Sequence, residues 1–133
     1  MLPLFLLRLK PYLALFSPIC MLHKMKLNPE PFDRVRSGKK TLEIRLNDLK
    51  RQQIKLGDTI EFTKRPDLIE KIDVEVQELT QYGSFADLAQ NSYMTDFGYE
   101  EDYDKQKFID SMYTIYDKSD EEKYGVLAIR MNK

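Results

Sequence analysis

Residues 38–46 read Gly-Lys-Lys-Thr-Leu-Glu-Ile-Arg-Leu, "GKKTLEIRL". From Thr41 onward polar and apolar residues alternate, the period of a strand with one face in a core. Leu42, Ile44 and Leu46 make the apolar face, and Thr41, Glu43 and Arg45 make the other. Upstream, "NPEPFDRVRSG" predicts a short helix. Asn28 caps it, Pro29 suits its first position, Phe32 and Val35 face inward, and Gly38 ends it.

Downstream, "NDLKRQQIKLGD" is a polar connection that closes on a Gly-Asp turn. "TIEFTK" alternates again and is broken by Pro66-Asp67. "KIDVEVQELT" is the next strand, with Ile72, Val74 and Val76 inward. Leu79 falls on the opposite parity, which requires a bulge near Gln77-Glu78. "SFADLAQ" predicts a small helix with Ser84 and Asp87 placed as a capping box. A longer helix is expected from Glu100 to Tyr116, with Phe108, Ile109, Met112, Tyr113 and Tyr116 as its buried stripe. "SDEEKYG" turns the chain into a last strand, Val126 to Met131. The pattern predicts one α+β domain: a small mixed, partly closed β-barrel of about four short strands with two or three packed helices.

The chain has 133 residues with a formal net charge of −1, and 42% of it is hydrophobic. That is enough for one modest core. Charge is unevenly placed. Lys24 to Arg65 holds twelve Lys or Arg against six Asp or Glu, whereas Pro66 to Lys133 holds seven against sixteen. Such asymmetry points to a basic face for an anionic partner. A single cysteine, Cys20, excludes an internal disulfide framework and a multi-cysteine zinc site. No metal or cofactor is expected, and cysteine usage points to a reducing, cytoplasmic location. The sole histidine, His23, is read as an exposed residue near the start of the domain.

"MLPLFLLRLKPYLALFSPIC", residues 1–20, is far more apolar than the rest. Arg8 and Lys10 follow its apolar run, and Pro3, Pro11 and Pro18 interrupt it. It therefore suits neither a signal peptide nor a membrane span, and no stable membrane association is expected. The preferred reading is an over-extended start, with Met21 as the functional first residue.

Phosphate loops, nucleophile elbows and paired cysteines are absent from the sequence. The chemistry left is the charge around the first strand. Lys40 at a strand mouth can act as a base or an anion clamp. Glu43 and Arg45 sit two residues apart on one face, roughly 6.5–7 Å along the strand. Strict alternation puts Lys40 on the opposite face, so convergence of the three requires a twist at Lys40-Thr41.

"GKKTLEIR" resembles the Gly-x-Lys-x-x-Glu-x-Arg signature of ASCH domains, through Gly38, Lys40, Glu43 and Arg45. The flanks "PEPFDRVRSGKK" and "IKLGDTIEF" and the closing "EEKYGVLAIRM" are also similar to that family. The resemblance covers residues 21–133 and leaves 1–20 as an extension. It implies a barrel of the PUA-like type, with the signature residues lining a ligand cleft for RNA or a nucleotide-like small molecule. Gly38, Lys40, Glu43 and Arg45 would form that site. Arg34, Arg36, Lys39, Lys50, Arg51, Lys64 and Arg65 would supply phosphate contacts, and Tyr82 or Tyr93 could stack on a base.

The alternative that the resemblance implies is an amidohydrolase acting on an acylated nucleoside such as N4-acetylcytidine. Its machinery would be Lys40, Glu43 and Glu75. Glu43 stands where those enzymes carry a threonine nucleophile, and a carboxylate does not replace an acylated hydroxyl. Thr41 is the neighbouring hydroxyl.

Overall fold

The computed structural model describes residues 19–133. The expected over-extended start falls almost wholly on residues outside that range. Among the described residues the order is β1 (Leu22–Leu27), α1 (Pro29–Arg36), β2 (Leu42–Leu46), β3 (Thr59–Lys64), β4 (Lys71–Tyr82), α2 (Phe85–Gln90), α3 (Lys105–Met112), α4 (Lys118–Tyr124) and β5 (Val126–Asn132). The strands form one mixed α+β half-barrel sheet in the order β1-β3-β4-β5-β2. β1 runs parallel to β3, and every other pairing is antiparallel. β1 and β2 are therefore the two free edges.

One core lies on the face that α1 covers: Phe32 and Val35 meet Met25, Leu27, Ile60, Phe62, Val74, Val76, Leu127, Ile129 and Met131. The opposite face packs Leu42, Ile44, Val126 and Ala128 against Phe85, Leu88, Phe97 and Phe108. Phe32, Phe62, Phe85 and Phe97 are fully buried, each worth roughly 1.5–3 kcal/mol of apolar transfer. Phe85 also stacks on Tyr116 at 5.5 Å between centroids.

The expected bulge is present, since the β4–β5 register shifts between Val76 and Glu78. Ser84 accepts from the Asp87 N–H and caps α2 as expected. Three expectations are corrected. "LHKMKL" is a strand, which raises the strand number from about four to five: Met25 and Leu27 are buried and alternate with Lys24 and Lys26 on the open side. Lysines on an edge strand also discourage pairing with another chain. The helix expected over residues 100–116 is confined to Lys105–Met112, because Asp104 accepts from the Gln106 and Lys107 N–H groups and starts it there. "KSDEEKY" is a helix rather than a turn, which raises the helix number to four. Its Glu121 is buried and accepts from the Phe85 N–H at 2.8 Å and from the Tyr113 hydroxyl at 2.9 Å.

His23 is likewise not a free terminal residue. Its Nε2 lies 2.8 Å from Asp58 Oδ2, and the Asp58 carboxylate also accepts from the Met21 and Lys55 N–H groups. Asp58 is 2% exposed, so this cluster ties the start of β1 to the turn before β3.

Gly38 ends α1 with φ +81°, and a Cβ there would meet nothing within 4 Å. Its role is conformational rather than spatial, since left-handed backbone costs other residues about 1–2 kcal/mol. Gly38→Ala should therefore lower the urea midpoint by the equivalent of about 1 kcal/mol with an unchanged denaturant slope. A variant as stable as the parent would show that the turn relaxes freely.

Candidate functional site

The left-handed turn at Gly38 sends the chain back so that the Lys40 N–H donates to the Arg34 carbonyl at 3.0 Å. Lys40 then bridges to Phe97, and the Thr41 N–H donates to the Asp96 carbonyl, before β2 joins β5 at Leu42. Lys40 thus lies outside the ladder, whereas Thr41 meets β5 only through its carbonyl, which accepts from the Met131 N–H at 2.9 Å, and strand parity does not carry through Lys40. That local break brings Lys40 onto the side of Glu43.

Glu43 pairs with Ile129 and Arg45 with Leu127, so the one acid and the one base of β2 share the face of the α1 core. Glu43 is only 3% exposed. Its Oε1 lies 2.9 Å from Lys40 Nζ and accepts from the Ile44 N–H at 3.0 Å. Its Oε2 accepts from Arg45 Nη2 at 3.0 Å. The same Nη2 donates to the Lys26 carbonyl on β1 at 3.1 Å. Arg45 therefore spans the open seam between the two edge strands.

Burial pushes the Glu43 carboxyl up, but Lys40 and Arg45 outweigh it and hold the group at about 2. Burial lowers and Glu43 raises the Arg45 guanidinium, with a net rise. Both cations keep donors to spare. Among the described residues Arg45 Nη1 and Nε take no acceptor, and an ammonium carries three protons.

These groups form the floor of a cleft of about 590 Å³. Asn28, Pro31 and Arg34 line it from α1 and its start, Lys26 from β1, and Phe97 and Tyr99 from the loop before α3. Met112, Ile115 and Tyr116, at the end of α3, form another wall. The Arg34 guanidinium carbon lies 4.5 Å from the Tyr99 ring centroid, and Tyr99 stacks on Tyr103 at 4.3 Å. Gly98 permits this packing, because a Cβ on it would come within 2.9 Å of Arg34 Cδ. Burial pushes the Tyr116 phenol above its ordinary value, with Arg45 opposing and Glu43 adding to the rise.

Of the residues marked in the sequence, Lys40, Glu43, Arg45, Arg34 and Arg65 line the cleft. Gly38 shapes the approach without lining it. Arg36 and Lys64 share Asp33 and Glu70 in an exposed ion network at 2.7–3.3 Å. Arg51 pairs with Asp48 at 3.2 Å, and Lys39 and Lys50 are exposed elsewhere. Glu75 is exposed on β4 between Thr59 and Asn132, away from the cleft. The parity that buries Val74 and Val76 turns it outward. Thr41 Oγ1 accepts from Arg130 Nη1 at 3.1 Å and is also outside the cleft lining. Tyr82 belongs to the second core, and Tyr93 is exposed at the start of a short 3-10 turn.

Sequence reasoning did not mark Lys26, Phe97, Tyr99 or Tyr116 as lining residues. Lys26 lies on a strand with only two buried residues, Met25 and Leu27, which is too short a pattern to mark it, and the aromatic wall is assembled by tertiary packing alone.

Among the described residues no helix is long and apolar enough to cross a membrane, and no three His, Cys, Asp or Glu side chains gather as a metal site needs.

The family model for the ASCH domain matches residues 25–133. The crystal structure of the hypothetical protein PH0355 superposes with a TM-score of 0.73 at 32% identity, covering 84% of this chain and 98% of that one. A solution structure of a Pyrococcus furiosus protein gives 0.65 at 30% identity, covering 84% and 96%. The crystal structure of ASCH from Zymomonas mobilis shares the fold, with a TM-score of 0.54 at 16% identity over 84% and 67%. No curated protein matches the chain.

Proposed function

The chain belongs to the ASCH domain family, and on that premise we propose that its cleft binds RNA or a nucleotide-like ligand. The observation that supports this most is the buried carboxylate of Glu43 between Lys40 and Arg45. Glu43 already accepts three hydrogen-bonded or ion-paired donors, so its role is to position the two cations. The triad carries a net positive charge, lines the cleft, and keeps donors that no acceptor among the described residues takes. Such a floor suits the acceptor-rich groups of a nucleotide, its phosphate or a base carbonyl. The aromatic wall and the Arg34 guanidinium supply apolar and planar surface beside it.

Hydrolysis is less well served. A carboxyl held at about 2 is ionised at neutral pH, which removes it as a general acid and makes it a weak base. The Ser111 and Thr114 hydroxyls donate to the Phe108 and Ser111 carbonyls at 2.6 and 2.7 Å. Neither is poised as a nucleophile.

Calorimetric titration with ribonucleoside 5′-monophosphates and short RNAs tests the reading. Lys40→Ala should weaken binding about tenfold, as loss of one charge-assisted bond would. Binding that is indifferent to Lys40 would remove the triad from the site. Incubation of the same protein with N4-acetylcytidine, followed by mass-resolved chromatography, should show no turnover. Turnover lost in Lys40→Ala would replace binding with amide hydrolysis.

A further inference from the structure

The cleft shares three lining residues with a second depression of about 490 Å³: Lys26, Asn28 and Arg65. Pro29, Pro66 and Leu68 complete the second depression. We propose that it is the second subsite of an oligonucleotide site, with a phosphodiester held between Lys26 and Arg65. This deepens the nucleotide-binding reading of the cleft and rests on it.

Placement is the first support. β1 and β3 run parallel and end together at Leu27 and Lys64, and the Arg65 N–H donates to the Leu27 carbonyl at 2.8 Å. Lys26 and Arg65 therefore leave neighbouring strand ends at the junction of the two depressions. Charge is the second. Neither residue forms an ion pair among the described residues, whereas the adjacent Lys64 and Arg36 are neutralised by Asp33 and Glu70. The two exposed cations at the junction are the unspent ones, and a phosphodiester is the anion that a nucleotide chain would place there.

Two further features fit a nucleotide unit. Asn28 occupies the N-cap of α1, yet its side chain makes no capping hydrogen bond. That leaves a donor and an acceptor for a base edge or a sugar hydroxyl. Leu68 has φ +61°, a left-handed conformation that a leucine rarely adopts, and it lines the depression together with Pro29 and Pro66. The backbone strain thus accompanies an apolar shelf of the kind on which a base or ribose rests.

The test compares each of the four ribonucleoside 5′-monophosphates with its 5′-phosphorylated homodinucleotide, by calorimetry at two salt concentrations. At least one dinucleotide should bind about tenfold tighter than its monophosphate, with the gain shrinking at the higher salt. The Lys26→Ala/Arg65→Ala double variant should bring that ratio close to one. Both side chains are exposed, so an unchanged unfolding transition is the control for folding. Equal affinities in the parent, or a gain that survives the double variant, would overturn the second subsite while leaving the cleft in place. Absence of binding by all eight probes would overturn the cleft reading, and the subsite with it.

Discussion

Glu43→Gln should lower the unfolding free energy by about 3–5 kcal/mol, the cost of removing one partner from a buried ion pair. The substitution keeps size and shape, so little of the loss is cavity. What it leaves is Lys40 and Arg45 facing each other, 12% and 15% exposed at their side chains, around a neutral amide. Replacing all three by apolar groups, as Lys40→Met, Glu43→Leu and Arg45→Met together, should recover much of the loss. Burying paired charges costs desolvation that an apolar core does not. Recovery in the triple variant would mean that the triad is kept for what it binds rather than for stability. Urea denaturation of the parent and both variants decides this, and a Glu43→Gln loss under about 1 kcal/mol would sink it.

The same residue sets an acid sensitivity. Its folded value of about 2 lies below the ordinary 4.5, so the carboxylate binds fewer protons in the folded state than in the unfolded one. The stabilisation is complete above about pH 4.5 and is lost as pH falls towards 2. The size is about 3 kcal/mol for a depression of that extent. Asp58 acts in the same direction: its burial opposes, but the Met21 and Lys55 N–H groups and His23 together hold it low. The difference between Glu43→Gln and the parent therefore reports on Glu43, and it should narrow steadily between pH 5 and pH 2. A gap that stays constant across this range would assign the low value to some other cause.

The alternation in residues 42–46 correctly separates Leu42, Ile44 and Leu46 from Glu43 and Arg45. It does not tell that Glu43, only 3% exposed, lies beneath a cleft rather than on an open surface. A period of two reports which residues share a face and not whether that face is wet. The break at Lys40 and Thr41 was required by the motif but could not be derived from spacing. It depends on hydrogen bonds to Arg34 and Asp96, residues 6 and 55 positions away in sequence. β1 was hidden for a different reason. Its two buried side chains, Met25 and Leu27, are too few to establish a period, and its partner β3 lies 37 residues on in register. The bulge after Val76 was legible because Leu79 breaks parity within one continuous strand.

Arg45→Lys should weaken nucleotide binding about a hundredfold, more than Lys40→Ala does, although it preserves charge. The guanidinium uses one nitrogen to join Glu43 on β2 to the Lys26 carbonyl on β1, and its Nη1 and Nε take no acceptor among the described residues, on a side chain that lines the cleft. A lysine offers three donors on a single atom, so it cannot make both protein bonds and also present a planar fork to a phosphate. Two consequences separate this reading from a simple loss of contact. The seam between β1 and β2 should loosen, and amide hydrogen exchange should quicken along residues 22–27 while β4 and β5 stay protected. Binding should fall in step with that loosening, because the cleft wall that carries Lys26 and Asn28 is no longer tied to the floor. If exchange in β1 is unchanged while affinity falls, Arg45 acts on the ligand alone. If exchange quickens and affinity holds, the strap is structural, and the ligand is held from Lys40 and Arg34.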